Sequence, residues 1–489
     1  MFSLGIGIIS MSLHSQAVVQ SIEKDVSLQE VKAHLSFLTS DLLKGRATGS
    51  EGQQVAAEYI STHFLIHQVE PMDEVGGFFQ KVPLRSTTPP NESSLSLAGV
   101  NYSFPKDFII LNGGQGNLQT ETAFVGHASE DELRDVDLRL KLAVSWCGDG
   151  SSDDPNDWIT HSQIKRELVK SKGAVGLVEI YRNAQMPWSM VSRIGRQEIV
   201  ALSDPSNSDR PFPHLWLSPS TDKSVQDLKQ HQAIKLDLDQ VKSADITSSN
   251  VIGFVEGTDE SLKNEYVVYT AHYDHVGIGR PDASGDNIYN GARDNAVGVV
   301  AVMMLAKHFA KYPPRRSSIF VLFTAEEKGL LGSKLFVNES PVPLSDIVYN
   351  FNIDNAGYND TSLVSVIGLT RTSAMTDIEE ACQVYGLTAI EDPAKEQGLF
   401  DRSDNVNFAR KGIPAPTFSM GFTKFDRSIF EFYHQPSDEF ESLNMNYVWK
   451  YIKSYVAAAQ LIANRDERPF WTEGDKYYKA GVDLYQSMD

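Results

Sequence analysis

The sequence predicts an α/β fold: a mixed, largely parallel sheet with helices on both faces, interrupted by a smaller β-rich α/β domain. Three observations lead there. Runs such as "YVVYTA" from Tyr266 and "SSIFVLFTA" from Ser317 are apolar almost throughout, as strands covered on both faces are. They alternate with helical patterns such as "DNAVGVVAVMMLAKHFAKY" and "TSAMTDIEEACQVYGL". Between 96 and 248 the texture changes to short alternating strands broken by polar turns.

In chain order, the apolar run Phe2–Leu13 followed by Ser15-Gln16-Ala17 has the form of an h-region and a small-residue cleavage site, so residues 1–17 are expected to be an export signal, although no Lys or Arg precedes the run. Residues 18–95 form the first part of the main domain. Here "DVSLQEVKAHLSFLTSDLL" and "GSEGQQVAAEYISTHFL" space apolar residues at three and four, which predicts helices on either side of a Gly-rich break. Residues 96–248 form the inserted domain, with strands at "TAFVGHA" and "KLAVSWCG" and a helix feeding a strand in "HSQIKRELVKSKGAVGLVEIYR". From 249 to 489 the main domain resumes. "DNAVGVVAVMMLAKHFAKY" is an amphipathic helix stopped by Pro313-Pro314, and "GLLGSKLFV" is a further helix. "DIVYNFNID", "SLVSVIGL" and "APTFSMG" are strands, and a helix over Met445–Ala463 precedes a polar aromatic tail.

Bulk properties narrow the function classes. The 489 residues exceed one simple core, and 41% hydrophobic with 22% charged residues describes a folded chain. A formal charge of −20 argues against nucleic acid as a partner, because phosphate binding needs basic surface. Two cysteines, Cys147 and Cys382, exclude a disulfide framework and a cysteine-rich zinc site. No stretch reaches the ~18 uninterrupted apolar residues of a membrane span. A monomer is the working expectation.

Chemistry concentrates where strands end. "YVVYTAHYD", "SIFVLFTAEE" and "VYNFNID" finish in His or acids, and Asp294 precedes the long helix. Ligand sites of open α/β sheets collect at the carboxyl ends of strands. Clustered carboxylates repel one another unless a cation neutralises them, and Asp, Glu and His without Cys suit zinc or another borderline divalent ion. Glu326 and Glu327 point different ways, so one can bind metal while the other acts as a general base. His272 and Asp274 share a face if the strand continues, which puts the Asp274 carboxylate behind the imidazole. His275 has the opposite parity and is read as a packed or loop histidine. His434, in a loop before Pro436, is a candidate last ligand, and His308 belongs to a helix without function.

In this order, "AHYDH", "GARDNAVG", "TAEEKGLLGS", "NIDNAG", "RSDNVNFARKGIPA" and "YHQPSD" resemble the two-zinc exopeptidases of peptidase family M28, which include secreted aminopeptidases and the glutamate carboxypeptidase type. The resemblance covers the main domain on both sides of the insertion, including the lead-in "LTSDLLKGRATGSEGQQVAAEYI". The insertion, more loosely, is similar to a protease-associated domain.

The resemblance implies a zinc exopeptidase-like fold and two Zn2+ per chain. His272 and Asp354 would hold one ion, Glu327 and His434 the other, and Asp294 would bridge. Glu326 would be the general base and Asp274 the carboxylate supporting His272. It also implies a cis peptide at Asp294-Asn295. Peptides with a free N-terminus are the expected substrates. Loops around 398–408 and 421–433 would shape the pocket, with Tyr433 either supporting an oxyanion or simply packing. A carboxypeptidase or dipeptidase is the alternative, and a glutaminyl cyclase or a non-catalytic binding relative fits less well because every ligand position is filled. One departure stands out: the family's usual His after Ser-Asp is Asn405 here, which puts substrate placement or a neighbouring hydrogen bond in doubt.

Overall fold

A computed structural model describes residues 13–486 apart from 98, 114–115, 153–154, 184, 204–211, 219–231 and 240–241. Most of the apolar run assigned to an export signal, residues 1–12, lies outside the described residues. Among the described residues no helix is long and apolar enough to cross a membrane. The chain divides into two compact units, one of residues 1–83 and 247–489 and one of residues 84–246. Both divisions fall inside long strands, which is why a change of sequence texture does not mark them sharply.

The first unit is built on α1 (Leu13–Asp25), α2 (Leu28–Leu38), α3 (Glu51–Ile66), β1 (Phe79–Thr88), β2 (Lys242–Val255), β3 (Tyr266–His272), α4 (Val297–Lys311), β4 (Ser317–Phe323), α5 (Leu331–Asn338), β5 (Ile347–Ile353), β6 (Leu363–Ile367), α6 (Met375–Val384), β7 (Thr388–Glu391), α7 (Asn405–Arg410), β8 (Thr417–Met420), α8 (Met445–Ala463) and α9 (Tyr478–Gln486). The sheet order is β7-β6-β8-β5-β3-β4-β2-β1. β3 runs parallel to β4 and β5, and β5 parallel to β8, so four central strands point the same way. β2 and β6 run against them, making the sheet mixed as expected.

Alternation sends successive strand residues to opposite faces. Val267, Tyr269, Ala271, Phe320 and Leu322 pack under α2, α3, α4, α6 and α8. Val268, Ile319, Val321 and Phe323 pack with Phe336 of α5, Phe408 of α7 and Trp471. Both faces are therefore dry, which explains the uninterrupted apolar strands.

α4 departs from the amphipathic reading. Every residue from Val297 to Ala306 is buried, because α1, α2, α3 and α8 all contact it while β3 lies beneath. A helix enclosed on all sides needs no polar stripe. α4 also begins later than the sequence implies: Ala292–Ala296 form an irregular wide turn, and Asp294-Asn295 is a cis peptide. The tail after α8 contains α9, whose Tyr485 hydroxyl donates to the Ile347 carbonyl.

The second unit carries an eight-stranded sheet whose central strands, Gly116–Phe124, Leu142–Trp146, Gly176–Ile180 and His214–Leu217, are parallel. Cys147 is buried here and Cys382 is buried in α6; both are free thiols. Glu179 is fully buried, accepting from Lys165 Nζ at 2.9 Å, Trp216 Nε1 at 3.1 Å and Ser162, with His214 Nε2 at 2.8 Å. Burial alone would raise its pKa; His214, Lys165 and Ser162 outweigh burial and bring it down to about 2. A depressed carboxylate stabilises the fold above its unfolded value and loses that contribution as pH falls through the folded one. About 3 kcal/mol, present above about pH 4.5, should therefore disappear as pH falls toward 2. Glu179→Ala should cost about 3–5 kcal/mol near neutrality by leaving Lys165 buried and unpaired. Urea unfolding of both proteins from pH 3 to 7 tests this; identical pH slopes would contradict it.

Candidate metal centre

The register of the parallel strands assembles the site. Thr270 pairs with Asn352, so His272 at the end of β3 lies level with Asp354 just beyond β5. His272 also pairs with Phe323, which brings Glu326 and Glu327, three and four residues past β4, to the same edge. The turn before α4 supplies Asp294, and the loop before α8 supplies His434 with a positive φ of 53°.

Two groups of candidate metal donors result, and they share Asp294. In the first, His272 Nε2 is 3.2 Å from Asp294 Oδ1 and 3.2 Å from Asp354 Oδ1. In the second, His434 Nε2 is 3.0 Å from Asp294 Oδ2 and 3.3 Å from Glu327 Oε1. Donors about 2.0–2.1 Å from a tetrahedral zinc lie roughly 3.3 Å apart, so both groups have the spacing of a ligand set. The two oxygens of Asp294 face different groups, as a bridging carboxylate requires. Glu326 belongs to neither group, although it lines the same cleft.

Electrostatics point to a cation. Burial pulls the His434 pKa down, yet Asp294 and Glu327 outweigh it and hold the imidazole up at about 10. His272 is likewise held well above its ordinary value against burial, by Glu326, Asp354 and Asp294. Burial opposes ionisation of Glu326, and its neighbours Asp354, Glu327 and Asp404 add to the rise, leaving it well above the usual carboxylate range. The cluster thus draws positive charge onto its histidines. Buried Glu327 Oε1 also has no hydrogen-bond partner. Cysteine-free His and carboxylate donors, spaced for coordination and short of positive charge, fit zinc.

Every residue expected at the centre is brought to it. The imidazole Nδ1 of His272 lies 3.0 Å from the Asp274 backbone carbonyl, and the nearest Asp274 carboxylate oxygen, 3.9 Å away, is within ion-pair but not hydrogen-bond reach. That carboxylate accepts from Glu326 N at 3.2 Å and Thr48 Oγ1 at 2.7 Å, fixing the segment that carries the two glutamates. The chain turns after His272, so strand parity fails there. His275, on the irregular segment after β3, is packed as expected. Its ring meets the second candidate donor group, with Nδ1 2.9 Å from Glu327 Oε1 and all four donor atoms within 4.8 Å of one another.

Asn405 is buried outside the cleft lining, and its amide donates to the Phe400 and Ala415 carbonyls at 3.2 and 3.1 Å, tying together the loop that borders the pocket. Tyr433 lines the cleft and stacks on His434 with ring centroids 4.2 Å apart. Leu399, Phe422, Phe425 and Ile367 add an apolar wall, drawn from the segments expected to shape the pocket.

Two supporting residues escaped the sequence reading. Buried Arg46 donates to the carbonyls of Leu38, Tyr273, Asn290 and Gly291, clasping the segments on either side of the site. Buried Asp438 accepts from Arg293 N at 3.1 and 2.9 Å, Asp294 N at 3.2 Å and Arg293 Nη1 at 2.7 Å, so it anchors the backbone of Asp294. Asp438 sits in the "YHQPSD" motif, but only the fold supplies its partner. Asp438→Ala should cost about 3–5 kcal/mol by stranding buried Arg293, with a fall in metal affinity. Chemical denaturation and zinc titration check both, and an unchanged midpoint would refute the anchoring role.

An open α/β sheet whose central strand ends hold two candidate donor groups joined by one carboxylate defines the class: an α/β fold with a candidate metal site at its strand ends. Residues 250–459 match the model for Peptidase family M28. Among curated relatives, the chain is 26% identical over 216 residues to the vacuolar membrane protease of Lachancea thermotolerans, covering 44% of this chain and 20% of that protein. It is 28% identical over 229 residues to aminopeptidase YwaD of Bacillus subtilis, covering 46% of each. The match therefore spans less than half the length of either relative. The solved aminopeptidase from Aneurinibacillus sp. strain AM-1 shares the fold, with a TM-score of 0.57 at 19% identity over 92% of this chain and 97% of that one.

Proposed function

We propose that this chain is a two-zinc exopeptidase, most simply an aminopeptidase that hydrolyses the N-terminal bond of peptides. The observation that carries the reading is Asp294: its Oδ1 faces His272 and its Oδ2 faces His434, with Glu326 alongside but in neither donor group. His272, Asp354 and Asp294 would hold one ion, and Glu327, His434 and Asp294 the other. When bound, the ions polarise the scissile carbonyl and acidify the attacking water. Glu326 takes the water's proton and delivers it to the leaving amine. Asp274 and Thr48 keep the Glu326 backbone in place. The acid-rich end of the cleft suits a free α-ammonium group, and the wall of Leu399, Phe422 and Phe425 suits an apolar side chain. The names of the Bacillus subtilis and Aneurinibacillus relatives point the same way. The inserted unit is read as a protease-associated domain, and the apolar N-terminal run as a route to export.

One observation favours a carboxypeptidase or dipeptidase instead. Arg402 lines the cleft and forms no ion pair among the described residues, leaving a guanidinium able to receive a substrate carboxylate. Metal analysis and a panel of free, N-acetylated and C-amidated peptides separate these readings. About two zinc ions per chain with cleavage only of free N-termini is the expected result. Cleavage of acetylated peptides that stops on C-amidation would establish the carboxypeptidase.

A further inference from the structure

We infer that His275 is a direct ligand of the second metal ion, so that this ion has four protein donors and the first has three. The inference rests on the two-ion reading and adds to it a residue that strand parity assigned to packing.

Position is the first argument. His275 Nδ1 lies 2.9 Å from Glu327 Oε1 and 3.9 Å from Asp294 Oδ2, the two oxygens that also face His434 Nε2 at 3.3 and 3.0 Å. All four donor atoms fall within 4.8 Å of one another. These separations scatter about the roughly 3.3 Å between donors of a tetrahedral zinc. His275 and His434 meet edge to face at 5.5 Å and 77°, which keeps the rings apart while both nitrogens converge.

Burial is the second. The side chain is fully enclosed, and neither ring nitrogen makes a hydrogen bond; the approach to Glu327 is short but wrongly directed for one. Leaving a buried polar group unpaired costs about 1–3 kcal/mol, a cost that coordination at Nδ1 removes for that atom. The backbone is shaped around the ring. His275 N donates to the Arg46 carbonyl, and Gly291, at φ +59°, leaves room that a Cβ would close to 2.6 Å from the ring carbons.

The consequence is an asymmetric centre. Four protein donors close a tetrahedral ion, whereas three leave a position open. The ion held by His275, Asp294, Glu327 and His434 is the retained, organising one. The ion held by His272, Asp294 and Asp354 is exchangeable and offers the open position to substrate.

Zinc titration of the chelator-stripped full chain, wild type and His275→Ala, tests this. Loss of a partner behind a ligand typically weakens metal binding 10–100-fold, so loss of a ligand should weaken the tighter ion by about 100-fold or more. The weaker ion should hold its affinity and report an intact fold. Two ions with unchanged affinities in His275→Ala would overturn the ligand role while leaving the two-ion centre standing. A wild-type chain that takes up no zinc would overturn both. Should His275→Ala fail to fold, zinc X-ray absorption of the loaded wild type decides: His272, His275 and His434 on two ions give about three imidazoles per pair, against two if His275 does not bind.

Discussion

Glu326→Gln is expected to lower kcat by about 10²–10⁴-fold, the range a positioned general base contributes, while zinc content stays at the wild-type level. Glutamine keeps the size of the side chain but cannot accept the water's proton. Metal is retained because Glu326 stands outside both donor groups, and its placement survives because Asp274 holds the backbone N–H rather than the side chain. Turnover of a free-N-terminus peptide, measured beside elemental analysis of the same sample, separates a chemical defect from a metal defect. Activity within a few-fold of wild type, or loss of zinc, would remove Glu326 from its role.

Asp294→Ala should be more damaging, because one carboxylate serves both donor groups. Its oxygens lie 3.2 Å from His272 Nε2 and 3.0 Å from His434 Nε2, and among the described residues no other acid belongs to both groups. Removing it takes a donor and a negative charge from both donor groups at once, in a site where that charge helps to raise the pKa of His272 and His434. Bound zinc at saturation should fall from two ions to fewer than one per chain, and kcat/KM by on the order of 10³-fold, about 4 kcal/mol of transition-state stabilisation. Equilibrium dialysis against zinc, with rates measured across added zinc, checks this. Two ions bound at wild-type affinity would mean that Asp294 does not bridge.

Most of the site was legible because parallel strands carry their chemistry at one end. An apolar run ending in His or Asp is a local feature, and sheet geometry brings such ends together. Thus His272, Asp354, Glu326 and Glu327 could be picked from strand endings, and Asp294 and His434 from motif order. Asp274, His275, Arg46 and Asp438 resisted for a common reason. Most of their partners are 52 to 245 residues away, and each acts through a turn whose path no periodicity describes. Period-two parity stops at His272, where the strand ends, so the positions of Asp274 and His275 could not be extrapolated from it.

By itself the sequence determined the α/β class, a resemblance to one peptidase family over the main domain, and the residue types of a cysteine-free candidate metal site, since these follow from local periodicity, the order of motifs and composition. Tertiary structure alone decided that α4 is enclosed rather than amphipathic, that the Asp274 carboxylate accepts from the Glu326 backbone, and that His275 turns inward beside Glu327. The physical reason is the same in each case. Which face of a helix is covered, and where a side chain points after a strand ends, depend on segments far off in sequence. Only packing brings those segments into contact.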